Sequence, residues 1–380
     1  MMQLAFDDIF KNKRVLVTGN TGFKGSWLTL WLSMLGAEVY GYSLQPPTKP
    51  SLFRILNLNK LINHEEADIR HFNRLKGTIK KVKPDIIFHL AAQSLVGESY
   101  LTPLETIEVN TMGPVNVMEA VRQLGEPTAV VMITSDKCYE NKEWLHGYRE
   151  TDPLGGYDPY SSSKGAAEVL IASWRNSFFP SDRIPVHGVR LASARAGNVI
   201  GGGDWAKDRI VPDCIRDLVK CGVIGVRNPH ATRPWQHVLE PLHGYLHLGA
   251  KLLNVQNKNV VDYCEAFNFG PGVSSNRSVK ELVESIIQYW GGGSWEWISP
   301  GMENHEASLL NLSVDKAFHK LQWIAKWDFD TTVQHTVEWY AHWKDGSSDL
   351  PDLTEQQIKD YELAESSSAS AIKLEKVKSI

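Results

Sequence analysis

The chain has 380 residues, of which 42% are hydrophobic and 22% are charged, and its formal net charge at pH 7 is -4. This composition is typical of a folded globular protein with one large domain or two ordinary ones. The slightly acidic balance argues against nucleic acid or an anionic membrane surface as the main partner, so any phosphate binding must depend on local basic residues.

The cysteine spacing, the apolar runs and the amino-terminal segment indicate where the protein is located. The four cysteines are far apart and form neither a CxxC pair nor a Cys/His ligand pattern, which predicts no metal site and no disulfide framework. No apolar run reaches the length of a membrane span, and the amino-terminal segment lacks the pattern of a signal peptide. We therefore expect a soluble, cytoplasmic protein with reduced thiols.

Strand-like apolar runs alternate with helix-length segments through the first half of the chain. The predicted strands are RVLVTG (14–19), AEVYGYSL (37–44), a short strand ahead of Asp68, PDIIFHLAA (84–92), TAVVMITS (128–135) and VHGVRLAS (186–193). Continuous apolar strands separated by helices predict an α/β fold, with a doubly wound parallel (Rossmann) sheet over residues 1–194. Ligands of such a sheet bind at the carboxyl ends of its strands.

The second half of the chain has a different pattern. Beyond about residue 195 it consists of Gly-, Pro- and Trp-rich pieces such as GNVIGGGDW and RNPHATRPWQH, with amphipathic helices such as SVKELVESIIQYW. We interpret residues 195–361 as a smaller mixed α/β region that binds the substrate, from which the chain can cross back into the sheet. The polar, aperiodic tail 362–380 is predicted to be flexible.

The segment TGNTGFKG follows the first strand and opens the first helix. It places Gly19, Gly22 and Gly25 at GxxGxxG spacing, with Thr21 and Phe23 between them. Small residues allow the backbone to approach a pyrophosphate, and the amino terminus of a helix supplies amide donors and a positive dipole end. The context predicts a dinucleotide-binding loop, and a plain tight turn is the alternative.

The residues at the end of the second strand do not decide whether the cofactor is NAD or NADP. A fold that binds NAD normally has an acidic residue here, but this chain has Ser43 and Gln45, so the choice between NAD and NADP stays open. Asp68 and the adjacent Ile69 follow the short strand and are candidates for an adenine contact. A solvated loop acid is the alternative for Asp68.

The segment YSSSK places Tyr160 and Lys164 at i and i+4, on one face of a predicted helix. A lysine one turn away can lower the pKa of a phenol, so that the phenolate acts as a base toward an alcohol. Thr134 and Ser135 end the preceding strand, where a hydroxyl can bond a substrate oxygen. These groups together predict hydride transfer between an alcohol and its ketone, whereas the pair alone also occurs by chance in surface helices.

Four motifs in this order, TGNTGFKG, HLAAQ, the strand-end TSD and YSSSK, resemble those of the extended short-chain dehydrogenase/reductase family. The resemblance extends over roughly residues 12 to 345. It implies NAD(P) at the glycine loop, Tyr160 as the base, and Lys164 as the bridge between the nicotinamide ribose and the phenol. The residues that it implies beside the cofactor ribose are Ala91, Ala92 and Gln93.

Asp136 and Lys137 follow the strand-end hydroxyls and suggest proton transfers beyond oxidation. An acid and a base at one sugar imply elimination, as in the nucleotide-sugar 4,6-dehydratases of this family, which are lyases. By this resemblance, Asp136 protonates the departing hydroxyl of carbon 6, and Lys137 stands where a glutamate usually removes the carbon 5 proton. Lys137 must be deprotonated for that role. The alternative is a salt bridge from Lys137 to Asp136 or Glu140.

Longer segments, including TSDKCYENKEW, RAGNVIGGGDWAKDR and RPWQHVLEPL, resemble the dehydratase subgroup that acts on CDP-glucose and has this lysine. A CDP-sugar needs cations for its pyrophosphate and a slot for its base. Arg233 is the preferred pyrophosphate ligand because a guanidinium can bind phosphate oxygens bidentately. The further substrate-binding candidates are Asn198, Lys207, Arg209, Arg227, His237 and Glu306. The alternative for the arginines is an ordinary surface position, and the alternative for His237 is buried packing.

Two helix-like segments, TPLETIEVNTMGPVNVMEAVRQL and YSSSKGAAEVLIASWRNSF, are predicted to lie on one face of the sheet. Such helices usually pair across a two-fold axis in the family, so the resemblance implies a homodimer. Three alternatives to a CDP-glucose dehydratase stay open: a GDP- or dTDP-sugar dehydratase, a sugar epimerase of the same family, and a catalytically silent NAD-binding regulatory protein.

Overall fold

The computed structural model describes residues 5–254, 256, 259–299 and 309–364. The strands are β1 Arg14–Thr18, β2 Glu38–Ser43, β3 Asn63–Glu66, β4 Ile86–His89, β5 Thr128–Ile133, β6 Val189–Ala196, β7 Val199–Ile200, β8 Val223–Val226, β9 Thr232–Pro234, β10 Gln236–His237, β11 Ala266–Phe269, β12 Asn276–Ser278 and β13 Ser294–Trp297. The helices are α1 Phe23–Met34, α2 Leu52–Ile55, α3 Leu58–Leu61, α4 Phe72–Val82, α5 Val96–Leu101, α6 Pro103–Ile107, α7 Gly113–Leu124, α8 Pro159–Ser177, α9 Ile184–His187, α10 Ile210–Lys220, α11 Leu239–Leu253, α12 Val279–Trp290, α13 Asp315–Leu321, α14 Phe329–Lys344 and α15 Leu350–Leu363.

One parallel sheet organises the part of the chain that the structure describes. Its seven strands lie in the order β11-β6-β5-β4-β1-β2-β3, which contains the doubly wound arrangement. Every residue of β4, β5 and β6 is buried, because helices cover both faces of the sheet. The predicted α/β fold with a doubly wound parallel sheet is confirmed.

Alternation along the strands builds a separate apolar layer on each face. Val15 and Val17 of β1 pack into one layer with Trp27 and Trp31 of α1, while Leu16 between them belongs to the opposite layer. Both layers exclude water from the sheet, which makes it a rigid base for the strand ends. No helix among the described residues is long and apolar enough to cross a membrane.

The predicted strand over 186–193 begins three residues too early. Residues 184–187 form the short helix α9, which ends at Gly188 in the left-handed conformation with a φ of 70°. β6 therefore starts at Val189 and continues to Ala196.

The carboxyl half returns to the sheet, as the sequence allows. β11 pairs with β6 at the edge of the sheet, and α11 packs against β5 and β6. The remaining strands form three two-stranded sheets, β7 with β10, β8 with β13 and β9 with β12. Residues 195–361 thus contribute to the central core as well as to the mixed α/β region beyond the strand ends.

The first of the two long predicted helices is interrupted by a π-helical turn. Residues Glu108–Met112 form this turn between α6 and α7. Asn110, inside the turn, is buried and donates hydrogen bonds to the Gln93 carbonyl at 2.9 Å and to Ser163 Oγ at 3.0 Å. The wider turn directs a polar side chain toward the strand-end loops, a position where π turns often serve function.

Candidate active site

The glycine loop forms a close turn between β1 and α1. Gly19 has a φ of 73°, which favours glycine, and a Cβ atom there would lie 2.7 Å from the Ala91 amide nitrogen. A Cβ atom at Gly25 would clash with the Gly19 carbonyl oxygen. α1 begins at Phe23 with Gly22 as its N-cap and without a side-chain cap. The amides of this helix end are therefore available to an anion.

The loop after β4 lies against the glycine loop. Thr18 Oγ1 is 2.8 Å from His89 Nδ1 and accepts a hydrogen bond from the Ala91 amide at 3.2 Å. Burial lowers the pKa of His89 to about 3, so this imidazole is neutral. Ala91 and Ala92 are partly exposed at this edge of the sheet. The geometry brings both alanines beside the glycine loop.

Gln93 is fixed by hydrogen bonds on both its backbone and its side chain. Its amide donates to Asn110 Oδ1 at 2.9 Å, and its Nε2 donates to Thr106 Oγ1 at 2.9 Å and to the Leu95 carbonyl at 3.0 Å. The backbone and the side chain of Gln93 thus both hold the shape of the loop after β4.

Neutral groups line the end of β2. Thr21 Oγ1 lies 2.7 Å from Ser43 Oγ and donates to the Leu44 carbonyl at 2.9 Å. At the end of β3, Asp68 accepts Arg70 Nη2 at 2.6 Å, and this hydrogen-bonded guanidinium holds the pKa of Asp68 below its usual value. Asp68 is therefore an anchored carboxylate at the strand end, next to the buried Ile69.

Helix α8 carries Tyr160 and Lys164 at the base of the cleft, by which we mean the region at the carboxyl ends of the central strands. Asp158 caps this helix by accepting hydrogen bonds from the Ser161 amide at 2.9 Å and the Ser161 hydroxyl at 2.6 Å. Tyr160 and Lys164 are 8% and 5% exposed, and Lys164 Nζ lies 5.9 Å from the centroid of the Tyr160 ring. The structure brings the predicted pair together one helical turn apart.

Burial dominates the acidity of the phenol. It raises the pKa of Tyr160 to about 12, while the Ser135 hydroxyl and the Arg209 charge act in the opposite direction. Burial also lowers the pKa of Lys164 to about 8. In the protein alone, burial therefore outweighs the groups that lower the pKa of Tyr160, because the desolvated phenol favours its neutral form.

Only one of the two strand-end hydroxyls faces the catalytic pair. Ser135 Oγ donates to Asp136 Oδ1 at 2.9 Å and accepts the Lys137 amide at 3.2 Å. Thr134 Oγ1 donates instead to Glu168 Oε1 at 2.5 Å. The predicted catalytic role of Thr134 is corrected accordingly, since its hydroxyl is committed to the interior.

A buried ion pair supports the site from below. Glu168 Oε2 accepts Arg195 Nη2 at 2.8 Å and Ser193 Oγ at 2.8 Å, and the Arg195 and Glu168 side chains are 4% and 2% exposed. Arg195 Nη1 also donates to the Tyr139 hydroxyl at 2.7 Å. The sequence reading missed Glu168, although it lies four residues after Lys164 on the same helix face.

Asp136 is buried at the end of β5 and is held by its neighbours. A Cβ atom at Gly197 would lie 2.8 Å from Asp136 Oδ2, so the backbone after β6 packs directly on the carboxylate. Asn198 follows Gly197 and is partly exposed. Asn198 is therefore the next residue along the chain after this contact with Asp136, and its role in substrate binding stays a prediction.

Lys137 is partly exposed in the short helical turn Asp136–Cys138. Among the residues that the structure describes, it has no carboxylate partner within ion-pair distance, and Glu140 pairs with Lys142 at 2.5 Å. The alternative in which Lys137 forms a salt bridge to Asp136 or Glu140 is therefore not the arrangement observed.

Lys24 is a further charged group of the cleft that the sequence reading did not single out. It lies inside the glycine motif on the first turn of α1. Burial lowers the pKa of Lys24 to about 8, and the charges of Arg209 and Lys164 act in the same direction, opposed by Asp136. The sequence feature that could have identified Lys24 is a lysine within a motif otherwise made of small and apolar residues.

Arg209 reaches the cleft region from the carboxyl half, whereas Arg233 is buried within that half. Arg209 donates from Nη1 to Asp204 Oδ2 at 2.9 Å and from Nη2 to Ser94 Oγ at 3.2 Å. Arg233 lies in β9, is 7% exposed, and donates from Nη1 to the Thr232 carbonyl at 2.8 Å. Of the predicted cations, Arg209 is the one that the described contacts place beside the strand-end loops.

The other predicted substrate-binding residues differ from these in burial and position. His237 is fully buried, with its ring centroid 5.8 Å from that of Trp27 and 4.9 Å from that of Trp327, so its predicted place in the pocket is corrected to core packing. Lys207 is exposed, and Arg227 is over half exposed and 4.0 Å from Asp208. Glu306, and residues 365–380 of the predicted flexible tail, lie outside the described residues.

A doubly wound parallel sheet with a glycine loop after β1 and a Tyr/Lys pair on a helix beyond β5 defines an extended short-chain dehydrogenase/reductase. More narrowly, the chain belongs to the family described as GDP-mannose 4,6 dehydratase, whose model matches residues 16–336. The CDP-glucose 4,6-dehydratase of Salmonella typhimurium is 47% identical to this chain over 355 residues, covering 93% of this chain and 97% of the relative.

Solved structures share the fold at lower identity. A dTDP-glucose 4,6-dehydratase from Streptomyces venezuelae, solved with NAD bound, superposes with a TM-score of 0.73 at 21% identity, covering 89% of this chain and 99% of that chain. UDP-glucose 4-epimerase from Thermotoga maritima, solved with UDP-glucose, gives a TM-score of 0.72 at 20% identity, covering 86% of this chain and 97% of that chain.

Proposed function

We propose that the chain is a nucleotide-sugar 4,6-dehydratase that converts CDP-glucose to CDP-4-keto-6-deoxyglucose with NAD. The observation that carries the proposal is the run Ser135, Asp136 and Lys137 beside the buried Tyr160, since elimination needs an acid and a base in addition to the groups for oxidation. The 47% identical CDP-glucose 4,6-dehydratase supports the choice of nucleotide.

The glycine loop fits NAD. Gly19 and Gly25 allow the loop to fold tightly against Ala91 and on itself, where a Cβ atom would clash with the backbone, and the uncapped start of α1 offers amides to a pyrophosphate. The end of β2 offers the neutral side chains of Ser43, Leu44 and Gln45, none of which is a cation for the 2′-phosphate of NADP. NAD held there would supply an acceptor for the hydride of carbon 4 and a donor of hydride to carbon 6.

Each proton transfer of the proposed reaction is assigned to a different residue. Tyr160 takes the proton of the carbon 4 hydroxyl, with Ser135 hydrogen-bonded beside it. Oxidation at carbon 4 acidifies the carbon 5 proton, which Lys137 removes as a neutral amine. Asp136 donates a proton to the carbon 6 hydroxyl, which leaves as water. The elimination is thereby balanced: a C–H and a C–O bond break, and a double bond forms between carbons 5 and 6. When carbon 6 receives the hydride, the Lys137 ammonium returns its proton to carbon 5.

The substrate pyrophosphate is assigned to cations of the carboxyl half. Arg209 is a proposed ligand because its guanidinium lies beside the cleft, and Arg233 is proposed as the second because a guanidinium can bind phosphate oxygens bidentately. Asn198 and Lys207 are proposed as further polar contacts, and Arg227 is left out because it is largely exposed.

The test is a turnover assay with CDP-glucose, dTDP-glucose, UDP-glucose, GDP-glucose and GDP-mannose, with detection of the 4-keto-6-deoxy chromophore in alkali. We expect product from CDP-glucose and none from the Tyr160→Phe variant. Turnover of another nucleotide sugar alone would contradict the substrate, and a 4-epimer as product would indicate the epimerase. Binding of NAD without turnover of any sugar would indicate the silent regulatory protein.

A homodimer is also proposed. Four apolar side chains are exposed on and around α8. Val169 belongs to α8, and the segments that pack against α8 carry Leu101, Leu104 and Met112. A second copy would cover this face, as the family resemblance implies. Sedimentation analysis should show a dimer that Leu104→Asp weakens, and a monomeric wild-type protein at micromolar concentration would contradict the proposal.

A further inference from the structure

Asp204 is a buried acid of the GGGDW segment that the steps above do not use. Its side chain is 6% exposed and its Oδ2 accepts Arg209 Nη1 at 2.9 Å, while its Oδ1 accepts the Ala206 amide at 3.1 Å. Its carbonyl oxygen accepts the Tyr340 hydroxyl at 2.5 Å. Backbone and side chain are therefore both anchored, so the carboxylate has a fixed position.

Arg209 connects this fixed carboxylate to the sheet. Its Nη2 donates to Ser94 Oγ at 3.2 Å, and Ser94 follows Gln93 in the loop after β4. The guanidinium thus spans from the loop after β7 to a strand-end loop of the cofactor half. Its charge also reaches the cleft itself, since it lowers the pKa values of Tyr160 and Lys24.

A guanidinium has five N–H donors, and the two bonds to Asp204 and Ser94 occupy one on each terminal nitrogen. The remaining donors can bind phosphate oxygens. A free arginine side chain must lose its rotational freedom on binding, whereas one already held by an anchored carboxylate does not. The Asp204 pair also differs from the exposed ion pairs of the surface, because the acid is only 6% exposed.

We propose that Asp204 is a positioning residue, which holds the Arg209 guanidinium in the cleft in the orientation that binds the pyrophosphate of the nucleotide sugar. The inference rests on the proposed function and adds to it a residue that does not itself touch the substrate. It predicts that Asp204 acts on substrate binding through Arg209 and through no other group.

The test is a double-mutant cycle on the full-length enzyme. Asp204→Asn should raise the KM for CDP-glucose about tenfold, the usual scale for loss of a charge-assisted contact, and change kcat less than about threefold. Arg209→Gln should raise KM at least as much. In the Arg209→Gln background, Asp204→Asn should have no further effect on KM, because the group through which it acts is gone.

Two more variants keep the test decisive. Ser94→Ala removes the second anchor at an exposed position, and it should raise KM severalfold in the wild type and not in Arg209→Gln. Asp208→Asn is the matched control, since Asp208 is 63% exposed and its φ of 61° suits asparagine. It should leave KM unchanged.

Independent, additive effects of Asp204→Asn and Arg209→Gln, or a loss confined to kcat and thermal stability, would overturn the positioning role. If Asp204→Asn does not fold, the Ser94→Ala cycle decides by the same criterion. A wild-type enzyme that turns over a different nucleotide sugar would contradict the proposed substrate, and the cycle run with that sugar would still decide the role of Asp204.

Discussion

Replacing Glu168 by glutamine tests the buried support of the active site. Glutamine keeps the shape and one carbonyl oxygen, which can still accept the Thr134 hydroxyl, but it leaves Arg195 buried without its carboxylate. Removing one member of a buried ion pair costs about 3–5 kcal/mol. Because Arg195 keeps the Tyr139 hydroxyl and the Glu150 carbonyl as acceptors, we expect a loss of about 3 kcal/mol, at the lower end of that range.

The assay is urea denaturation followed by tryptophan fluorescence at pH 7. Glu119→Gln is the matched control, because Glu119 forms a comparable pair with Arg122 at 2.7 Å on the exposed side of α7. The control should lose less than about 1 kcal/mol. A loss for Glu168→Gln no greater than that of the control would refute the reasoning.

The pH dependence supplies a second measurement on the same variant. Burial raises the pKa of Glu168, but Arg195 and the hydrogen bonds to the carboxylate outweigh burial and hold the pKa below the usual value of 4.5. A lowered carboxyl pKa contributes stability that is present above the unfolded value and is lost as the pH falls through the folded value. The difference between wild type and Glu168→Gln should therefore shrink below about pH 4.5.

Three further predictions concern the cleft. Asp136→Asn should reduce product formation by about 10²–10⁴-fold while a stoichiometric amount of CDP-4-keto-glucose forms, measured after acid quench, and full turnover would disprove its role as the acid. Lys137→Ala should abolish exchange of the carbon 5 hydrogen with deuterated water, whereas retained exchange would make Lys137 a structural cation. Lys24→Met should stabilise the protein at pH 7 by on the order of 1 kcal/mol, because it removes a partly buried cation beside two others. That gain should fall as the pH rises from about 8 to 10.5, where the wild-type lysine becomes neutral in the fold, and an unchanged or lower stability at pH 7 would contradict the placement.

The sequence predicts the features that depend on local pattern. Apolar runs and helix-length spacers define the central strands, and the glycine loop lies where the motif follows β1. The i and i+4 spacing of Tyr160 and Lys164 is local as well, since a helix fixes it.

The features that were missed depend on contacts between distant segments. Glu168 meets Arg195 only because α8 packs over β6, and β11 joins the sheet some 70 residues after β6 ends. The orientation of Thr134 follows from the same contact, since a strand-end hydroxyl turns toward the nearest buried carboxylate. Arg209 reaches Ser94 across 115 positions of sequence, which no local pattern encodes.

The most direct test of the proposed function follows the hydrogen of carbon 4. The enzyme is incubated with CDP-glucose labelled with deuterium at carbon 4, and the product is analysed by NMR spectroscopy. Oxidation, elimination and hydride return within one site predict deuterium at carbon 6 of a 4-keto-6-deoxy sugar. Deuterium that remains at carbon 4, as in an epimer, or that is absent from carbon 6 of the product, would contradict the proposed function.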